Sequence, residues 1–362
     1  MATVRPRHEP EATGSSGPVL AALDLGTNNC RLLVARPRGD GFNVLDSFSR
    51  IVRLGEGVAG SGRLSERAMA RTVAALKICA SIMARHQVAL IRCVATEACR
   101  RAVNGVEFLM RVKRVTGIEL EILPHEQEAQ LALLGCLPLV DPDAEQVLLV
   151  DIGGGSTEIL WLDRGLGVEG PVLRCAASVP VGVVSLSEAF SSEPDLATFE
   201  AMVQQVSGLL APIELVHDIG SATRGVKAQM LGTSGTVTTL AAVLLDLPRY
   251  DRRRIDGLRV DPGTLGAVSR RLRQMDNRMR AAHPCIGPGR ADLVVAGCAI
   301  LEAVLRTWPV DTLRVADRGL REGILQGLMG RTLERALAVG QIVPVGVGAG
   351  EHGRVLGDSP VG

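Results

Sequence analysis

Val19-Leu-Ala-Ala-Leu-Asp-Leu-Gly-Thr-Asn-Asn-Cys-Arg-Leu-Leu-Val34 and Gln146-Val-Leu-Leu-Val-Asp-Ile-Gly-Gly-Gly-Ser-Thr-Glu-Ile-Leu-Trp161 carry one pattern twice, 127 positions apart. Each is an apolar strand ending in Asp, a turn of small residues, and a second apolar strand. Asp24 and Asp151 fall in register, as do Gly26 and Gly153. Glycines in such turns let backbone N–H groups close on an anion. A third turn, Leu231-Gly-Thr-Ser-Gly-Thr-Val237, follows another short apolar run and opens a helix. The pattern predicts an α/β protein of two related halves built around phosphate.

Working outward from the first copy, strands are expected at 19–24, 31–36 and 42–53, joined as hairpins. Leu64 to His86 reads as a helix: Ser65 can cap it, and Met69, Val73, Leu76, Ala80 and Met83 recur at helical spacing. Strand 89–95 leads into two helices, the second ending near Gly117, and 118–122 alternates like an edge strand. The order βββαβαβα is that of a ribonuclease-H-like or actin-like half. A helix over 125–137 is expected to bridge the halves, with 138–146 as a linker. The second half repeats strands at 147–151, 157–162 and 172–179, then helices near 185–190 and 195–217 and a strand at 228–232. A charged loop at 249–254, helices at 263–275 and 290–307, and a last strand and helix over 312–328 complete it. The domain division is a disordered extension 1–17, domain I 18–124, domain II 125–335 with the bridging helix at its start, and a disordered tail 336–362.

Composition narrows the function. With 362 residues, 46% hydrophobic and 22% charged, the chain can bury two full cores. No apolar run approaches the roughly 20 residues that span a bilayer, and the first residues hold no signal-peptide core, so a cytoplasmic protein with no membrane partner is expected. Eight cysteines without a C-x-x-C pair read as reduced, buried thiols. Net charge is +1 and aromatics are 2% of the chain. Single-strand nucleic-acid binding needs a basic surface and stacking platforms, so nucleic acid is excluded as a partner.

The chemistry-bearing residues cluster at the turns. A strand that delivers Asp151 to Gly153-Gly154-Gly155-Ser156 sets a carboxylate beside backbone N–H groups, where a cation can bridge to the phosphate they hold. Mg²⁺ is the expected cation. Glu158, just past the turn, points to the same place or lies on a surface strand. Glu126 and Glu128 open the 125–137 helix, where an acidic first turn also simply suits the helix dipole. Arg100 and Arg101 open a helix after a strand, positions suited to a phosphate or to solvent.

Asp24-Leu-Gly-Thr-Asn-Asn-Cys-Arg31, Val94-Ala-Thr-Glu-Ala-Cys-Arg100, His125-Glu-Gln-Glu-Ala129, Asp151-Ile-Gly-Gly-Gly-Ser-Thr-Glu158, Gly232-Thr-Ser-Gly-Thr236 and Arg318-Gly-Leu-Arg-Glu-Gly323 together resemble, in order, the exopolyphosphatase / guanosine pentaphosphate phosphohydrolase (Ppx/GppA) family. Sugar kinases and Hsp70 proteins share the glycine turns but not the Arg and Glu-Ala segments. The resemblance implies two actin-like (ribonuclease-H-like, ASKHA) domains with a cleft between them. It also implies Mg²⁺ dependence and hydrolysis of the terminal phosphoanhydride of a long or nucleotide-linked phosphate chain. By the resemblance Glu128 is the general base, and Asp151 and Glu158 are the catalytic carboxylates beside the metal. Gly153, Gly154, Gly155 and Ser156 would hold the phosphate, with Asp24, Gly26, Thr27 and Asn28 facing them. Arg100 would grip the phosphate, and Gly232, Ser234, Gly235 and Thr236 would form the third loop.

The chain departs from the family pattern at three points. Asn29 stands where Ser is usual, Gln127 where a second Glu is common, and Ser185 where Arg is frequent. Longer members carry a C-terminal helical domain for which this sequence leaves no room. The expected activity is removal of the terminal phosphate of inorganic polyphosphate. Alternatives are guanosine pentaphosphate hydrolysis, a kinase of the same superfamily, and a polyphosphate- or alarmone-binding regulator. Of assemblies, a homodimer is left open, and the missing C-terminal domain argues against dimerisation through that domain.

Overall fold

The computed structural model describes residues 17–39, 41–164, 171–190 and 193–331. The expected extension before residue 17 and the tail from 336 lie outside the described residues. In the first lobe, β1 (Leu20–Leu25), β2 (Asn29–Arg38) and β3 (Gly41–Ile51) form a meander. A short α1 (Val58–Ser61) and the long α2 (Glu66–Arg85) follow, then β4 (Leu90–Ala95), α3 (Glu97–Arg101), α4 (Gly105–Thr116) and β5 (Glu121–Ile122). Ser65 caps α2 as expected, its side chain accepting from Ala68 N at 3.2 Å. The Met69, Val73, Leu76 and Met83 stripe is buried against the sheet.

After α5 (His125–Cys136), the second lobe repeats the plan with β6 (Gln146–Ile152), β7 (Thr157–Asp163) and β8 (Val172–Val179). Next come α6 (Val183–Ala189), α7 (Leu196–His217), α8 (Ile219–Ala222), β9 (Ala228–Thr233) and α9 (Ser234–Leu244). The chain closes with α10 (Arg252–Ile255), β10 (Arg259–Val260), α11 (Pro262–Gln274), α12 (Asn277–Ala282), α13 (Val294–Thr307), β11 (Leu313–Ala316) and α14 (Leu320–Leu328). Two expectations need correction. The charged loop at 249–254 runs into α10, because Asp251 accepts from Arg253 N at 3.0 Å and starts a turn. The segment read as a linker carries a 3₁₀ turn at Leu137–Leu139 with Leu139 buried, so it is packed rather than free.

Strand order exposes the duplication. The first sheet runs β3-β2-β1-β4-β5, and the second runs β8-β7-β6-β9-β11 with β10 added beyond β11. In each, a parallel strand (β4 or β9) joins a meander whose first strand carries the Asp. Both lobes are thus α/β units of the ribonuclease-H-like, actin-like kind. Two helices cross between them. α5 buries Ala129, Ala132 and Leu133 against Val147, Leu149 and Leu160 of the second sheet. α14 returns to the first lobe, where Leu320, Ile324 and Leu325 cover Leu20, Ala22, Leu33 and Val94. No described helix is long and apolar enough to cross a membrane, and all eight cysteines are free and buried.

Candidate active site

The two glycine turns have the same internal geometry. Gly26 N donates to Asn29 O at 2.9 Å, and Gly153 N donates to Ser156 O at 3.0 Å. The turns then meet across the lobes. A Cβ on Gly154 would lie 2.9 Å from Thr27 Cβ and 3.1 Å from Asn28 N, and one on Gly155 would lie 2.9 Å from Thr27 Oγ1 and Glu97 Cγ. Only hydrogen at these positions lets the backbones approach so closely. Asp24, Gly26, Thr27, Asn28, Gly153, Gly154, Gly155 and Ser156 all line one interlobe cleft. The cleft is also lined by Glu128, Asp151, Glu158, Ser234, Gly235 and Thr236. Ser234 opens α9 with φ at 71°, a strained conformation for a side-chain-bearing residue, and its hydroxyl opposes the upward shift of Asp151.

Two expected phosphate contacts sit elsewhere. Gly232 is inside β9, paired with Val150 and Val315, and a Cβ there would press on the Val237 methyls at 3.0 Å. Its role is to seat α9 against the sheet. Arg100 lies behind Glu128 rather than on the cleft wall. Its Nη1 and Nη2 donate to Glu128 Oε2, each at 3.1 Å, Nη2 and Nε donate to Glu97 Oε2 at 3.0 and 3.2 Å, and Nη1 donates to Leu123 O. Its Nη2 also meets His125 Nδ1 at 2.9 Å. A guanidinium whose donors are taken up by two carboxylates orients them. Glu126 and Gln127 point outward at the helix start, so Glu128 alone of the three faces inward.

Carboxylates crowd the cleft, among them Asp24, Glu128, Asp151 and Glu158. Burial first, then the neighbouring Asp151, pushes Glu158 up to about 7. The hydroxyls of Ser156 and Ser178 donate to Glu158 Oε1 at 2.7 and 3.0 Å. Burial raises Asp24 to about 6, with Arg31 and Arg321 opposing. Burial also raises Asp151, and raises Glu128 well above the usual range, with Glu158, Asp24 and Asp151 adding to the latter. Carboxylates this crowded favour a cation among them. Asn28 Oδ1 and Asn29 Oδ1, in the same cleft, are buried without a protein partner, and amide and carboxylate oxygens are hard donors. The oxygens of Glu128 and Glu158 with a ring nitrogen of His125 form a second grouping, all within 4.8 Å.

Opposite charge stands beside this. Arg31, Arg290 and Arg321 line the cleft. Burial and the proximity of Arg31 hold Arg290 and Arg321 below the ordinary guanidinium range, with Glu322 partly offsetting the shift at Arg321. Crowded cations of this kind suit a polyanion. None of these arginines was picked from the sequence as a site residue. The register carried a usable signal for Arg31: it pairs with Asp24 across β1 and β2, as Glu158 pairs with Asp151 across β6 and β7. Arg321 lies in the quoted 318–323 motif, whereas Arg290 sits in a loop without pattern. Ser185, at the position of a frequent Arg, instead accepts from Gly182 N at 3.0 Å and starts α6.

Residues 33–332 match the model of the Ppx/GppA phosphatase family. Exopolyphosphatase 2 of Mycobacterium tuberculosis is 33% identical over 331 residues, covering 86% of this chain and 98% of that protein. An exopolyphosphatase structure from Cytophaga hutchinsonii superposes with a TM-score of 0.78 at 25% identity, covering 87% of this chain and 99% of the other. The Aquifex aeolicus member of the Ppx/GppA family superposes at 0.69 with 30% identity, covering 86% and 97%.

Proposed function

The chain belongs to the Ppx/GppA phosphatase family, and from that premise we propose that it is a Mg²⁺-dependent hydrolase that removes the terminal phosphate of inorganic polyphosphate. The observation that carries the reading is Glu128, a half-buried carboxylate held by Arg100 at a cleft where the glycine turns of both lobes meet. Arg100 engages Oε2, leaving Oε1 to take a proton from water. A base whose proton affinity lies near the working pH is an efficient one, and the raised value of Glu128 moves it in that direction. Backbone N–H groups of Gly154 to Ser156 and of Thr27 and Asn28 would orient the terminal phosphoryl group, and Arg31, Arg290 and Arg321 would hold the charge behind it. Phosphoryl transfer needs little covalent help beyond such alignment and fixed charge. Asp151 and Glu158, with the amide oxygens nearby, would hold Mg²⁺, which when bound neutralises the phosphate oxygens.

Polyphosphate is favoured over guanosine pentaphosphate because the described lining of the cleft offers guanidinium groups and no aromatic side chain as a platform for a base. The test is phosphate release from each substrate, with Mg²⁺ and with chelator. Release from polyphosphate that stops under chelation is expected. A marked preference for guanosine pentaphosphate would reassign the substrate, and tight binding of polyphosphate without release under saturating Mg²⁺ would make the protein a regulator.

A further inference from the structure

The loop that leaves β3, Val52 to Gly57, is tied in three directions. Within its own lobe, Arg71 of α2 donates from Nε to Val52 O at 3.0 Å and from Nη2 to Arg53 O and Glu56 Oε2 at 3.2 and 2.7 Å. Toward the first phosphate turn, Val52 N and Arg53 N both donate to Asn28 O, at 2.8 and 3.0 Å, and Gly55 N donates to Thr27 O at 2.9 Å. Across the cleft, Arg53 Nη2 donates to Asp292 Oδ1 at 2.7 Å and to Gly289 O at 3.2 Å. Gly57 N donates to Glu188 Oε1 at 2.7 Å. Arg53 holds φ at 47°, a conformation that costs a residue bearing a Cβ and persists only when neighbours impose it. Its amide thus stays on the phosphate turn while its guanidinium reaches the other lobe.

We propose that Val52 to Gly57 is a strap that couples closure of the lobes to the setting of the phosphate turn, with the Arg53–Asp292 and Gly57–Glu188 contacts as its releasable fasteners. The bonds to α2 and to Thr27 and Asn28 lie inside one lobe and survive any separation of the two. Among the described residues, the hydrogen bonds by which this loop reaches the other lobe are those of Arg53 to Asp292 and Gly289 O and of Gly57 N to Glu188. Arg53 and Asp292 are 30% and 31% exposed, so water replaces their contact at little cost and the fastening is reversible. Engagement acts on both walls. It sets the turn bearing Thr27 and Asn28 against Gly154, and it fixes the segment 289–292 that carries Arg290, whose Nη1 donates to Thr239 Oγ1 at 2.9 Å. Arg53, Asp292 and Glu188 are positioning residues.

Asp292→Ala and Glu188→Ala, alone and together in the full chain, test the strap by two readouts. Amide hydrogen exchange over 26–29 and 52–57 needs no turnover. It should speed up by about fivefold in each single variant and more in the double, with the cores unchanged. The kinetic readout rests on the hydrolase reading above: KM for polyphosphate should rise about fivefold with kcat nearly kept, since the closed, binding-competent population falls. Wild-type exchange rates at 26–29 in the double variant would overturn the strap, and so would a rise in KM without faster exchange. A wild-type protein that releases no phosphate would sink the hydrolase reading and leave the exchange result standing.

Discussion

Glu128 and Arg100 make opposite demands on experiment. Glu128→Gln keeps the shape and removes the base, so kcat should fall by about 10²- to 10⁴-fold with polyphosphate binding retained; phosphate release beside a binding titration reads both. Arg100 was expected from the family resemblance to grip phosphate, which would put its loss in KM. Placed behind Glu128 and bound to Glu97, it should instead act on kcat. Arg100→Ala is expected to lower kcat at least tenfold and to move KM by less than about threefold, because an aimed base loses its aim. A large rise in KM with kcat kept would restore the phosphate-gripping role. The residues legible in sequence were those on the two copied turns, where glycine spacing and strand register leave few arrangements. Arg290 was not legible, because a loop residue far along the chain reaches the cleft only through the packing of α13 on the second sheet.

At the scale of elements, the crossing of α5 and α14 joins the lobes. Gly135 of α5 lies directly against Gly319 O, and Gly323 of α14 against Leu131 O, so a Cβ on either glycine would overlap a carbonyl of the other helix segment. Backbone cannot yield as a flexible side chain can. Gly323→Ala should therefore destabilise the protein by about 2 to 3 kcal/mol, seen as a lower urea midpoint at unchanged slope. A midpoint within error of wild type would show that the helices can slide apart at no cost. The helices and strands themselves were legible from periodicity, as with Ser65 and the Met69 to Met83 stripe. Where α14 goes was not. An apolar face states that a helix must be covered and not by which sheet, and Leu320, Ile324 and Leu325 choose the first sheet through a contact about 300 residues away in sequence, at Leu20 and Ala22.

For the whole molecule, the cleft sets the pH dependence of stability. Asp24 rises from 3.8 to about 6 and Glu158 from 4.5 to about 7 on folding. Between those limits the folded chain binds more protons than the unfolded one, so their contribution is fully present at the acid end and is lost as pH rises through the folded values. For Asp24 alone the loss is on the order of 3 kcal/mol. Glu322 works the other way: burial would raise it, but Arg321 and Arg252 together hold it below 4.5. Its stabilisation is lost only as pH falls beneath that value, below the span from about 4.5 to about 7 in which most of the cleft carboxylates' loss falls. The two effects therefore do not cancel. With chelator present, the melting temperature should fall steadily as pH is raised from about 4.5 to about 7 and level off above. A divalent cation that binds the folded cleft stabilises it in proportion to the logarithm of its occupancy, and it binds best when the carboxylates are ionised, so Mg²⁺ should flatten the fall from its alkaline end. Asp24→Asn should remove part of the slope in chelator. A melting temperature that is level across this window in chelator, or unmoved by Mg²⁺ at its upper end, would mean that the crowded carboxylates are relieved by rearrangement of the lobes rather than by a cation.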